Sequence, residues 1–186
     1  MIAFPKRYAD RAARLRVPFG FVLVAAFACF SQPSVRSLMA GLPVSLAGLG
    51  LRAWAAGHLA KNRTLAQSGP YAYTRNPLYI GTLTVAAGLV IAGRSIWLGV
   101  IFAVVFLLIY LPVIDLEGQH LRNLFPEYAN YAERVPALWP RLGNSSKRGI
   151  MQSDWNPEVY WHNREYQALL GFLAGAAWLF WLAGKR

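Results

Sequence analysis

The stretch NPLYIGTLTVAAGLVIAGRSIWLGVIFAVVFLLIYLPVI, residues 76–114, contains a single charged side chain, Arg94. On either side of it, Asn76–Gly93 and Ser95–Ile114 run for about 18–20 residues each, the length that carries a helix across a bilayer core. Only Gly93-Arg94 separates them, which predicts a tight antiparallel helical hairpin. The same criterion picks out Val17–Val35 and Tyr166–Gly184, and a shorter run, Ser37–Leu51, that continues past Arg52 to about Gly57. The 186 residues are 56% apolar and 15% charged, too few charges to cover a water-soluble surface. The expected fold is all-α, a polytopic membrane helix bundle with about five transmembrane helices.

The first apolar run follows a basic leader, as a signal peptide would. It is followed by SQPSVRS, which offers no A-x-A cleavage site, so a retained span is expected. The single cysteine, Cys29, excludes an intramolecular disulfide, and the expectation is a packed thiol.

A net charge of +11 invites a nucleic-acid reading, but the distribution of charge argues for topology. With five spans and the N-terminus inside, 14 of the 19 Lys and Arg residues fall on the inner side and four (Arg36, Arg94, Lys185 and Arg186) outside. Arg52 lies within a span, and all eight acids are inside. This is the positive-inside bias, and the basic loops also suit anionic headgroups. The expectation is an integral protein of the cell inner membrane with a cytoplasmic N-terminus and no nucleic-acid partner.

Residues 1–16 read as a basic interfacial start, with Phe4, Tyr8 and Leu15 as anchors. The second span is rich in the small residues that let membrane helices approach closely. Two accounts of its Arg52 are open: snorkelling to the inner interface, or lining a polar pocket. Residues 115–165 are too charged to cross lipid. Within them Pro126 suits the first turn of a helix carrying EYANYAER, VPALWPRL reads as extended, and GNSSKRG as a linker. In DWNPEVYWHNREY, residues Trp155, Tyr160, Trp161 and Tyr166 suit an interfacial aromatic belt. One domain, 1–186, is expected, with a motif-bearing region at 65–140 and a linker plus extra transmembrane helix at 143–186.

His58, His120 and His162 are scattered, so no metal site is expected. There is no G-x-S-x-G elbow, Walker loop or G-x-G-x-x-G turn. Two segments at the inner ends of the hairpin remain. In GPYAYTRNPLYIG (69–81), Gly69-Pro70 turns the chain, and Pro77 holds Asn76 out of the helical region. The motif thus presents Tyr71, Tyr73, Arg75, Asn76 and Tyr79 from stiff backbone. The second segment is DLEGQHLRNLFPEYANY (115–131), which the hairpin brings to the same membrane face. An arginine grips a carboxylate, a carboxylate holds an ammonium, and tyrosines stack on a purine or face a cation. S-adenosylmethionine carries all of these groups. The alternative is that Arg75 and the tyrosines only anchor a helix at the headgroups.

G-P-Y-x-Y-x-R-N-P-x-Y-x-G followed by E-x-x-x-L-x-x-x-F-x-E-Y-x-x-Y resembles the isoprenylcysteine carboxyl methyltransferase and phospholipid methyltransferase superfamily of integral-membrane enzymes. The likeness spans about Leu65 to Pro140. It implies S-adenosylmethionine as methyl donor, with S-adenosylhomocysteine as product, in a cytoplasmic-side pocket between the two motifs. It also implies a lipid or other membrane-embedded acceptor that arrives from the bilayer. Carried over by position, the cofactor-binding residues are Leu65, Gly69, Tyr71, Arg75, Asn76, Pro77, Tyr79, Gly81, Glu117, His120, Leu121 and Tyr128, with Phe125 beside them. Arg75 and Glu117 are the pair expected to carry catalysis, Arg75 on the methionyl carboxylate and Glu117 on a cationic or hydroxyl group.

The sequence departs from the family's pattern twice. Asn76 stands where R-H-P has histidine, and Gly118 where the second glutamate of a pair is usual. His120 or Glu127 is the expected substitute for that carboxylate. Two other functions share features of the chain: an NADPH-dependent reductase of the membrane sterol-reductase kind, and a non-catalytic lipid-binding protein.

Overall fold

The computed structural model describes residues 4–140 and 154–185, and the linker GNSSKRG lies outside them. Among the described residues the regular structure is entirely helical. The helices are α1 (Lys6–Phe30), α2 (Val35–Ala56), α3 (Pro77–Gly93), α4 (Ile96–Leu124), α5 (Tyr128–Arg134), α6 (Pro157–His162) and α7 (Tyr166–Gly184). Helices α1, α2, α4 and α7 are long and apolar enough to cross a membrane. Helix α3 is equally apolar but has 17 residues, so the expected five spans appear as four full-length helices and one shorter one.

Local chemistry explains where the helices stop. Helix α1 takes in the basic leader and ends at Phe30, five residues before the expected end of span one. The chain turns through Ser31–Pro33, and Ser34 then caps α2. Its side chain accepts from the Ser37 N–H while the Ser37 hydroxyl accepts from the Ser34 N–H. This reciprocal cap starts α2 earlier than its apolar run alone predicts. Arg94 takes the left-handed conformation (φ 49°) between α3 and α4, closing the tight hairpin.

Helix α4 continues ten residues past Ile114, so the acidic segment from Asp115 to Leu121 rides on the helix itself. A π-helical turn, Phe106–Tyr110, interrupts α4 immediately before Pro112. Pro112 has no N–H to donate to the Leu108 carbonyl four residues back. The Tyr8 hydroxyl of α1 donates to that carbonyl instead, at 2.7 Å. Tyr8, expected as an interfacial anchor, is therefore a helix-to-helix contact. Cys29 lies exposed on α1, not packed as expected, because that stretch of α1 has few neighbours inside the bundle.

Helices α2 and α3 form the tightest seam. A Cβ on Gly48 would come within 2.7 Å of the Gly81 carbonyl oxygen, and one on Gly41 would overlap the α3 backbone at Gly88. Ser37 and Ser45 donate across the seam to the Ala92 and Val85 carbonyls at 2.8 and 2.9 Å. Small residues allow this approach where no hydrophobic driving force acts between helices. At the opposite end of α3 from the motif, Leu38, Ala92 and Leu179 pack together with Phe27, joining α1, α2, α3 and α7.

Candidate functional site

The segment before α3 is shaped by its own special residues. Gly69 has φ +55°, and a Cβ there would meet the His58 ring at 2.8 Å. A 3-10 turn, Gly69–Ala72, buries Pro70 and Tyr71. Asn76 takes φ −129° and ψ 57°, outside the helical region, and Pro77 opens α3. The segment is then stitched to the extended chain after α5. The Arg75 N–H donates to the Pro136 carbonyl at 2.9 Å, and the Thr74 hydroxyl and Asn76 amide both donate to Ala137 at 3.1 and 2.9 Å.

Helix α5 supplies the opposite support. Tyr128, Tyr131 and Val135 are buried against Leu65, Leu121 and Phe125. The Tyr131 hydroxyl donates to the Tyr71 carbonyl at 2.7 Å, and the Tyr128 hydroxyl accepts from Arg75 Nη1 at 3.0 Å. The Arg75 guanidinium also lies 5.7 Å from the Tyr128 ring centroid, a cation–π contact. Burial raises the ionisation of both Tyr71 and Tyr131 well above the usual phenol value, so these hydroxyls remain donors.

Between these parts lies a cavity of about 650 Å³. Of the twelve residues named from sequence, Leu65, Tyr71, Arg75, Tyr79, Glu117, His120, Leu121 and Tyr128 line it, together with Phe125. The other four build its frame: Gly69 and Pro77 shape the turn, Asn76 ties it to Ala137, and Gly81 admits the Arg52 side chain beside α3. The Tyr79 hydroxyl donates to Glu117 Oε1 at 3.1 Å, and Arg16 approaches the same oxygen at 3.7 Å. Glu117 and Arg16 are each nearly half exposed, so that ion pair is weak and leaves the carboxylate accessible.

The Gly118 departure has a definite geometry. A Cβ at Gly118 would stand 3.2 Å from the Tyr128 hydroxyl that holds Arg75. Glu127 is exposed and away from the cavity, whereas His120 lines it, so His120 is the one suggested substitute that lies within reach. Sequence reasoning did not single out Arg16, Thr82, Tyr110 or Tyr131 as lining residues. Tyr110 ends the π-helical turn and meets Tyr79 edge-on at 6.2 Å. Pro112 was the available signal for that turn. Of the two accounts of Arg52, the structure supports the second: its side chain lines the cavity.

The site thus has a cationic pole at Arg75, a carboxylate at Glu117 and walls of tyrosine, leucine and phenylalanine. Among the described residues, no group of three or more His, Cys, Asp and Glu side chains is placed to hold a metal ion.

Residues 43–128 match the phospholipid methyltransferase family, a segment that contains both Arg75 and Glu117. A cobalt-zinc-cadmium resistance protein of Cupriavidus metallidurans is 40% identical over 134 residues, covering 71% of this chain and 60% of that protein. A nickel-cobalt-cadmium resistance protein of Alcaligenes xylosoxydans xylosoxydans is 40% identical over 103 residues, covering 54% of this chain and 48% of its own length. The chain therefore spans about half to three-fifths of these curated relatives. No solved structure matches.

Proposed function

We propose that the chain transfers a methyl group from S-adenosylmethionine to a membrane-embedded acceptor, a reading that starts from the match of residues 43–128 to the phospholipid methyltransferase family. The observation that carries the reading is the meeting of two sequence motifs in one cavity, with Arg75 at one pole and Glu117 at another. A volume of about 650 Å³ falls within the usual range of ligand cavities, about 300–1,000 Å³. The donor set matches an amphoteric aromatic ligand: a guanidinium for its carboxylate, a carboxylate for its ammonium or hydroxyls, and apolar and tyrosine faces for its purine.

S-adenosylmethionine would supply a methyl group on a sulfonium: an acceptor oxygen, nitrogen or sulfur takes that methyl as the carbon–sulfur bond breaks, and its electron pair stays on sulfur to leave S-adenosylhomocysteine. The chain's own contribution is orientation. Tyr128 holds the Arg75 guanidinium in place, Tyr79 holds the Glu117 carboxylate, and Leu65, Leu121 and Phe125 wall the pocket. Fixing two reactants in line is the main source of acceleration in such a displacement. Among the described residues no buried general base stands out in the lining, which favours an acceptor that arrives already deprotonated. The relatives are named for resistance to cobalt, zinc, nickel and cadmium. Under this reading, a contribution to such a phenotype runs through a methylated membrane component. The excess of Lys and Arg on one side supports a site that faces the cytoplasm, with the N-terminus inside.

Calorimetry of the purified protein with S-adenosylhomocysteine and, separately, with NADPH tests the reading. Heat with the first and none with the second is expected, and silence with S-adenosylhomocysteine sinks it. Incubation with labelled donor and total lipid extract then identifies the acceptor.

A further inference from the structure

One charged pair joins the first motif to a residue that lies outside both motifs. Arg52 of α2 donates from Nε to Glu165 Oε2 at 3.0 Å, and from Nη2 to both carboxylate oxygens at 2.8 Å. The two side chains are only 21% and 11% exposed. Glu165 immediately precedes α7, well outside the family-matched segment.

The remaining nitrogen of the guanidinium faces α3. Nη1 donates to the Thr82 hydroxyl and, at 3.4 Å, to the Leu78 carbonyl, which also accepts from Thr82 at 2.9 Å. The arginine stem crosses Gly81, where a Cβ would come within 2.5 Å of Arg52 Cγ. Arg52 therefore braces the α3 turn Leu78–Thr82, and Tyr79 on that turn reaches Glu117. Glu165 is itself well fixed. The Asn163 amide donates to the Ala56 and Leu59 carbonyls at 2.9 Å, and the Trp155 indole donates to Ala53 at 3.0 Å over Gly57. A charge-assisted, bidentate pair of this kind locks a long side chain into one geometry.

We propose that Glu165 is a positioning residue for the cavity: by clamping Arg52 it holds the α3 turn that aims Tyr79 at Glu117. The C-terminal helix is then part of the binding apparatus and not solely a membrane anchor. The inference rests on the reading of the cavity as an S-adenosylmethionine site.

The test measures S-adenosylhomocysteine affinity by calorimetry, with thermal unfolding in detergent alongside. Replacing both partners by apolar residues of similar length, Arg52→Met with Glu165→Met, removes the pair without stranding a charge, so folding is expected to survive. The expected result is an unchanged melting temperature with affinity lowered at least tenfold. Glu165→Asp keeps the charge but shortens its reach, with about a fivefold loss expected, and it decides the matter if the double variant fails to fold. Tyr79→Phe supplies the readout that a merely structural role would not move. Its effect on affinity should shrink in the Glu165→Asp background, because both changes act on one chain of contacts. A folded variant that binds within twofold of wild type, or effects that simply multiply, overturns the positioning role and leaves the methyltransferase reading standing. A wild-type protein silent toward S-adenosylhomocysteine fails that reading first and this inference with it.

Discussion

The two sides of α3 are held by opposite means. Toward α2 it meets backbone with backbone, through Gly41, Gly48, Gly81 and Gly88, with serine hydroxyls bonding main-chain carbonyls. Toward α4 and α5 it stands off, and long side chains bridge the gap: Tyr79 to Glu117, and Arg75 just before it to Tyr128. The seam has no room to adapt, whereas the open side is a set of replaceable polar links around a volume. Rigidity on one face lets the other hold a cavity without collapsing, as close packing transmits position from helix to helix.

The largest effect should come from forcing the seam. Gly48→Leu places atoms where the Gly81 carbonyl already sits, and overpacking of this kind costs about 1–3 kcal/mol and occasionally more. Loss of a monodisperse peak in detergent chromatography is expected; a well-folded variant with normal stability would break the division of labour. On the open side the expectation reverses. Arg75→Ala and Glu117→Ala should each lower S-adenosylhomocysteine affinity at least tenfold, about 1.4 kcal/mol, while the unfolding temperature holds. Unchanged affinity in both places the ligand elsewhere. Tyr128→Phe sharpens the contrast, since it removes only the hydroxyl that holds Arg75. A net hydrogen bond is worth about 0.5–1.5 kcal/mol, so a two- to tenfold loss by calorimetry is expected. The smallest effect is Ser45→Ala, which deletes one seam hydrogen bond and should cost about 0.6 kcal/mol of stability with no change in affinity.

Much of the open side was legible in the sequence because its residues are clustered. Arg75, Tyr79 and Pro77 lie within one helix start, and Glu117, Leu121 and Tyr128 follow one another along α4 and α5. The hairpin at Arg94 predicted that these two clusters would meet, and both line the cavity. The charge-free runs likewise disclosed the helices, although Ser34 and Pro112 moved their boundaries or shape through hydrogen bonding that hydropathy does not register. What stayed hidden depends on pairing between distant elements. Arg52 was visible as an anomaly, but nothing local names Glu165 as its partner. Arg16 reads as part of an ordinary basic leader until α1 is placed, and Tyr131 closes the second motif without a sign that its hydroxyl reaches Tyr71. The small residues of the second span, Gly41 and Gly48 among them, suggested close approach, but not that Gly81 and Gly88 of α3 are what they meet.

The Arg52–Glu165 pair also has a consequence in time. The partners are 113 residues apart, and chain synthesis proceeds at roughly 5–20 residues per second. For about 6–23 s after Arg52 is made, the carboxylate of Glu165 does not yet exist, although the α2–α3 seam can form once α3 has followed. From then until Glu165 is made, Thr82 and the Leu78 carbonyl are the acceptors that α3 offers to the guanidinium. The same two groups that later transmit the position of Glu165 would thus first shelter a charge inside an unfinished bundle.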